Sequence, residues 1–195
     1  MTPPDRPALL FVTGNPGKLA EARRLAGAAI ESIAVDLPEI QSLDFEEVLH
    51  EKARSAWSAV GRPLVVEEAG LELAALNGFP GPLVRWMLDA VGAEGIARTA
   101  IALGDPRARA VAILAWTDGQ KTILAHGAVT GTLTLPPRGD HGFGFDPVFL
   151  PDGSERTFGE LEGVDKDRFS HRGKAWRELL LRMDRRDDAG DGTIA

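Results

Sequence analysis

The chain has no cysteine, so disulfides, thiolate nucleophiles, zinc–thiolate centres and iron–sulfur clusters are excluded together. It is also short of basic residues: 22 Lys and Arg stand against 29 Asp and Glu, a net charge of −7. A chain this acidic is not built as a general DNA or RNA coat, which needs a cationic surface to replace phosphate counterions. A local basic pocket for phosphates is compatible with it. No apolar run approaches the roughly 18 residues of a membrane span. The start, MTPPDRPALLFV, has no basic segment followed by a long apolar one, so no secretory signal is expected. These absences point to a soluble, cytoplasmic protein without a membrane or stable nucleic-acid partner.

What is present suits one domain. A chain of 195 residues should fold to about 9,000 Å² of surface from about 30,000 Å² unfolded, burying roughly 70%. That is enough for a core without staples. Residues 1–184 are expected to form a single domain, or one domain with two lobes. Residues 185–195, polar and rich in Gly and Asp, are expected to form a flexible tail.

Strand and helix signals alternate along the chain. Ala8–Val12 is a short apolar strand. The turn Thr13-Gly14-Asn15-Pro16-Gly17 then leads into a helix. Asn15 is its cap, Pro16 its first residue, Leu19, Ala22 and Ala26 its apolar face, and Gly27 its stop. A second strand is expected near Ile30–Val35. Asp44–Val60 is the clearest helix, with Asp44 and Glu47 at capping-box spacing and an apolar stripe from Phe45 to Val60. Strands are expected at Leu64–Glu68 and Leu71–Leu76, either side of Gly70, and a loop at Asn77–Pro82. Helices follow at Leu83–Val91 and Glu94–Leu103, parted by Gly92. A hairpin runs through Arg107–Thr117 and Lys121–Leu135, turning at Asp118-Gly119. Pro136–Gly144 is a loop, Val148–Leu150 a last strand, and Ser170–Met183 a final helix capped by Ser170. Both βα units and a hairpin are present, so the fold class is α/β with a mixed sheet.

Four segments could carry chemistry. The first is TGNPGK, between strand and helix. It aims backbone N–H groups and the charge of Lys18 at an anion, without the spacing of a Walker loop. The second is a set of acids, Glu39 and the pair Glu67-Glu68. A strand-end carboxylate suits Mg²⁺, and neighbours on a strand face opposite ways, so only one of the pair can face a given cleft. The third is Gly142-Phe143-Gly144-Phe145-Asp146-Pro147, a slot of two phenyl rings and an acid for a flat base. The fourth is Ser170-His171-Arg172 with Lys166, where donors converge at a helix start. Adjacent Ser170 and His171 do not make a hydrolytic triad, and no G-x-S-x-G elbow is present. His50, His126 and His141 are scattered and read as surface or structural residues.

Taken in order, TGNPGK, VEEAGLELAALNGFPGP, GFGFDPVF and SHRGKA resemble the inosine triphosphate pyrophosphatase family, over about Leu9 to Leu181. That resemblance implies a two-lobed α/β fold with a long mixed sheet, helices flanking it and an active-site cleft between the lobes. It implies Mg²⁺-dependent hydrolysis of ITP, dITP and XTP to the monophosphate and pyrophosphate, cleansing the nucleotide pool. Matched motif by motif, Thr13, Gly14, Asn15, Pro16, Gly17 and Lys18 would hold the triphosphate with Lys52. Phe143, Gly144, Phe145 and Asp146 would sandwich and read the base. Lys166, Ser170, His171 and Arg172 would contact base and phosphates. Glu39 and Glu68 would hold the metal, with Glu68 catalytic and Ala69 beside it. The family is usually dimeric, and the apolar Phe79–Val84 segment with Trp86 agrees with a homodimer.

The resemblance departs at one place. The family usually has an acid, then Asp, then Ser or Thr, where this chain has Glu67-Glu68-Ala69. The carboxylate sits one methylene further out and a hydroxyl is missing. Misplacement of about 1 Å can cost about a hundredfold in rate. Two alternatives therefore stay open: a nucleotide-binding homologue with weakened catalysis, and a pyrophosphatase of the same fold with a shifted base preference. The second is motivated by Phe145, where some relatives have Trp or Tyr.

Overall fold

The computed structural model describes residues 8–27 and 29–190. The N-terminal segment MTPPDRP and the last five residues of the expected tail lie outside the described residues.

β1 (Leu9–Val12) is followed by α1 (Pro16–Leu25) and β2 (Ile30–Ile33), which pairs parallel to β1. α2 (Phe45–Val60) leads to β3 (Leu64–Leu73), whose far end meets the two-residue β4 (Pro80–Gly81). α3 (Val84–Ala102) precedes the long hairpin of β5 (Arg107–Thr117) and β6 (Thr122–Leu133), after which come β7 (Phe149–Pro151), α4 (Gly163–Phe169) and α5 (His171–Gly190). The seven strands form one sheet in the order β2-β1-β3-β5-β6-β7, with β4 against β3. β2, β1 and β3 run parallel and the remaining pairs antiparallel, so the sheet is mixed as expected.

The apolar interior divides into three clusters. On one face Phe11, Val65 and Leu114 pack under α1 and α5, with Trp176 edge-on to Phe11. On the other face Leu10, Val66 and Ile113 pack under Phe45, Leu49 and Ala53 of α2. At the far end Leu71, Leu73 and Val129 pack with Ile96 of α3, Phe149 and Phe158. The alternation along β3 sends odd residues to the α1–α5 face and even residues to the α2 face.

Local signals fixed several boundaries. The Asn15 side chain accepts the Lys18 N–H at 3.0 Å, and Asp44 accepts from Glu46 and Glu47 at 2.8 and 3.3 Å. Gly61 ends α2 in the left-handed region at φ 67°, which a β-carbon would disfavour. The Asp44–Glu47 capping box does not close: the Glu47 carboxylate instead accepts the Ser42 hydroxyl at 2.5 Å. A full box forms at Thr157 and Glu160, on a short 3-10 turn. Gly92 parts the two halves of α3, with non-helical φ 69° and ψ 174°.

Three expectations are corrected. β3 does not break at Gly70 but runs through to Leu73, and Ala74–Leu76 is a 3-10 turn. A β-carbon at Gly70 would lie 2.1 Å from the Gly81 carbonyl oxygen, so the glycine is there for close approach of β4. α4 has no expected counterpart. Arg24 of α1 clamps it through Asp167, at 2.7 and 3.2 Å. The final helix begins after Ser170, whose hydroxyl accepts the Gly173 N–H at 3.0 Å, and continues past Met183 to Gly190.

Candidate active site

The site begins where the sheet leaves an edge open. β1 pairs with β3 through Phe11 and Val65, and β4 pairs with it from Leu71. Between them, residues 66–70 of β3 have no partner on that edge among the described residues, while β5 covers the other edge throughout. Continuing the Phe11–Val65 register would bring Thr13 opposite Glu67. The TGNPGK loop therefore leaves the sheet beside the Glu67-Glu68-Ala69 step. Asn15 N–H donates to the Thr13 hydroxyl at 3.2 Å, and the Asn15 cap turns the chain into α1 with Lys18 in its first turn.

Glu67 and Glu68 point to opposite faces, and both are engaged. Glu67 accepts Nε and Nη2 of Arg172 at 2.9–3.0 Å and lies 3.4 Å from Lys18 Nζ. Burial alone would raise its pKa, but the charges of Arg172 and Lys18 bring it below the ordinary glutamate value. Glu68 accepts Lys52 Nζ at 2.5 Å, and Glu39 accepts the same ammonium at 3.2 Å. Burial works against the Lys52 charge, yet Glu68 and Glu39 hold its pKa above the usual lysine value. Ala69 turns to the α1–α5 face and packs with that apolar cluster.

A second group of charges lies beneath Phe143. Lys166 of α4 donates to Glu21 at 2.9 Å and to Asp146 at 2.7 Å. Asp146 also accepts the Phe143 N–H at 2.7 Å, which fixes the GFGFDP turn. Burial raises the Asp146 pKa, and Lys166 opposes the rise without cancelling it. Arg172 gives Nη1 to Glu21. Glu21 thus receives both cations, and against its burial they lower its pKa. Phe143 is half-buried, with the cations of Lys166 and Arg172 at 5.5 and 5.2 Å from its ring centre. It lies over Gly17, where a β-carbon would come within 2.5 Å of the ring.

Phe145 is placed differently. It is a core residue, 6.0 Å from the rings of Phe149 and His171. His171 also stacks on Phe158 at 5.9 Å, and its Nδ1 is buried without a hydrogen bond. Burial, reinforced by Arg172, Lys166, Lys18 and Lys174, pushes its pKa well below 6.5, so the ring is neutral. Ser170 serves as the cap of α5, and Gly144 adopts φ 64° between the two phenylalanines. The expected residues therefore gather in two linked groups. Lys18, Glu67 and Arg172 connect the loop to the Glu21–Lys166–Asp146 cluster, and Lys52, Glu68 and Glu39 lie on the α2 face.

Sequence reasoning missed Glu21 and Phe158. Glu21 is buried beside Ala22 on a short helix, and its partners lie 145 and 151 residues away. Its one signal was a carboxylate next to Ala22 on the apolar face, which needs a partner if buried. Two surface recesses of about 420 and 630 Å³ lie elsewhere, along α2 and the outer face of the β5–β6 hairpin. No residue of the expected site lines them, and neither gathers a comparable set of charges.

The donor set was tested for Mg²⁺. Glu39 and Glu68 bring two carboxylate oxygens to one point, now shared with Lys52. Among the described residues no group of three or more His, Cys, Asp or Glu side chains could hold a metal alone. Two carboxylates are a donor set that Mg²⁺ can use, since it takes one or two and completes its shell with water and phosphate oxygens. No helix among the described residues is long and apolar enough to cross a membrane.

The sequence and the overall fold match those of known proteins. The sequence profile of the Ham1 family matches residues 9–181. The chain is 37% identical over 171 residues to the dITP/XTP pyrophosphatase of Methanopyrus kandleri, covering 86% of this chain and 91% of that protein. It is 38% identical over 176 residues to the inosine triphosphate pyrophosphatase of Tuber melanosporum, covering 88% and 94%. The HAM1 protein of Coxiella burnetii superposes with a TM-score of 0.79 at 28% identity, over 92% of this chain and 100% of that one.

Proposed function

Because the chain belongs to the Ham1 family, we propose that it hydrolyses the non-canonical purine nucleoside triphosphates ITP, dITP and XTP to the monophosphate and pyrophosphate. One observation carries the reading furthest: each cation of the site already has a carboxylate partner. A site so balanced gains little from a polyanion alone. It accepts one that arrives with a divalent cation, which is the form of a nucleoside triphosphate in magnesium-containing solution.

Water attacks the α-phosphorus in line with the departing pyrophosphate. A P–O bond forms to the water oxygen, and the bond from the α-phosphorus to the bridging oxygen breaks, its electrons leaving on pyrophosphate. Glu68 takes or orients the water proton. Lys18 and Lys52 neutralise charge that builds on the phosphate oxygens, and the N–H groups of Gly14 and Gly17, which the turn does not use, would face the same anion. Glu39 and Glu68 would hold Mg²⁺, which when bound adds charge neutralisation at the phosphates. On the base side, Phe143 supplies a face for stacking, and Asp146, Lys166, His171 and Arg172 supply the polar surroundings. A 6-oxo purine meets donors there that a 6-amino purine would leave unpaired.

The protein is proposed to act in the cytoplasm, where these nucleotides arise, and as a homodimer. Phe79 and Trp86, 43% and 60% exposed, form the apolar surface that a second copy would cover. A light-scattering mass of one chain at micromolar concentration contradicts the dimer. The activity is tested by product identity. ITP with Mg²⁺ should yield IMP and pyrophosphate. Orthophosphate release, or turnover undiminished after chelation, contradicts the reading.

A further inference from the structure

Lys52 holds the place that a divalent cation needs. Its Nζ lies 2.5 Å from Glu68 Oε2 and 3.2 Å from Glu39 Oε1. A Mg²⁺ ion held by these two carboxylates would need the same oxygens. The ammonium and the ion would therefore compete for those oxygens and repel each other. Both carboxylates are already neutralised in part, so a metal arriving alone must first displace a positive charge. Glu39 has one further cation near it, Arg85, at 4.0 Å and largely exposed. Lys52 is the enclosed one, on the middle of α2, facing the strand that carries Glu68.

We propose that Lys52 is an internal stand-in for the metal. It occupies the Glu39–Glu68 site in the free protein, and metal entry releases it to the substrate phosphates. The inference rests on the assignment of Glu39 and Glu68 as metal-holding residues and deepens it. Once displaced, Lys52 presents three N–H donors with no carboxylate left to satisfy them. A triphosphate oxygen entering with the metal is the acceptor of matching charge. The exchange makes metal and nucleotide bind cooperatively. By linkage each then tightens the other by the same factor, typically about 5–150-fold. It also frees Glu68 from its ammonium partner at the step where the carboxylate is required. Lys52 acts here as a positioning residue for the metal and becomes a substrate contact only after release.

The test is Mn²⁺ binding to the full chain without nucleotide, followed by electron paramagnetic resonance of free Mn²⁺. Lys52→Met removes the competing charge while keeping side-chain length. It should tighten Mn²⁺ binding by about tenfold or more, a factor within the usual range of coupling. Lys52→Arg keeps a cation in place and should stay within about threefold of wild type, below that range. Glu68→Gln in the Lys52→Met background should abolish the gain. Mn²⁺ affinity unchanged or weakened in Lys52→Met overturns the proposal while leaving the metal assignment standing. Failure of wild type and variants to bind Mn²⁺, with or without ITP, overturns the metal assignment itself and this inference with it. A crystal structure of the wild-type protein with Mn²⁺ decides the matter without any variant. Lys52 Nζ out of hydrogen-bonding range of Glu68 supports the exchange, and an unchanged pair beside a bound metal overturns it.

Discussion

Two carboxylates that follow each other on one strand live in different surroundings. Glu67 faces α1 and α5, is fully enclosed, and is gripped on both oxygens by Arg172 with Lys18 behind. Glu68 faces α2 and shares one lysine with Glu39, a half-exposed residue on an irregular segment. The Glu67 side is built from helices whose positions depend on the charges: α1 through Glu21, α4 through Lys166, α5 through Arg172. The Glu68 side has partners that can be exchanged. The pair is thus unequal, with one acid tying the walls of the site together and the other, in the proposed mechanism, available for chemistry.

The sharpest way to break that comparison is to neutralise each acid in turn. Glu68→Gln should lower pyrophosphate release by about a thousandfold, within the range for loss of a general base, while urea unfolding changes little. Retained turnover within about tenfold would move the base elsewhere. Glu67→Gln should do the reverse. It leaves Arg172 short of a carboxylate in a buried site, which costs about 3 kcal/mol of stability, read as a shift in the urea midpoint with unchanged slope. An enzyme as stable as wild type would show that Glu67 is not structural.

The pH dependence of stability separates the two sides further. His171 lies on the Glu67 side, neutral, with its pKa depressed below 6.5 by burial and then by neighbouring cations. The unfolded chain takes up that proton first, so stability should fall as pH drops through 6.5, by up to about 1.4 kcal/mol per unit. Glu21 and Glu67 have lowered values, so their contribution is complete above the unfolded value near 4.5 and is lost as pH falls below it. Asp146, raised by burial, has the opposite sign. Urea midpoints between pH 7.5 and 5.5 should show a slope that His171→Gln flattens. An equal slope in both proteins contradicts the assignment.

The smallest expected effect concerns the departure from the family pattern. Glu68→Asp withdraws the carboxylate from Lys52 by about 1.5 Å, and Ala69→Ser places a hydroxyl on the Glu67 face. If α2 and Glu39 are set for the longer side chain, the double variant should lose about tenfold in kcat, a barrier change near 1.4 kcal/mol. A gain would mean that the natural chain is compromised.

What was legible in the sequence is what local chemistry decides. Asn15-Pro16 opened α1, Asp44 and Gly61 bounded α2, Asp118 closed the β5–β6 turn by accepting from Gln120 and Lys121, and Ser170 capped α5. Lys18 and Glu68 were legible as candidates too, because both lie in motifs that carry the resemblance. Their partners were not. Gly70 reads locally as a break, and only the approach of Gly81 explains why a strand passes through it. The seven residues of α4 have no apolar stripe, and the Arg24–Asp167 pair that holds them spans 143 positions. Glu21 acquires its meaning from Lys166 and Arg172, which a one-dimensional reading cannot bring near it. Phe145 was expected against the base, yet its ring is packed into the core with Phe149 and His171, while Phe143 covers the loop.

The proposed activity and base preference are tested most directly by kcat/KM for pyrophosphate release from ITP, XTP and ATP with Mg²⁺, measured side by side on the wild-type protein. Two unpaired buried donors cost about 1–3 kcal/mol each, so ITP and XTP should exceed ATP by at least about a hundredfold. Comparable values for ATP and ITP, or no pyrophosphate from any of the three, would contradict them.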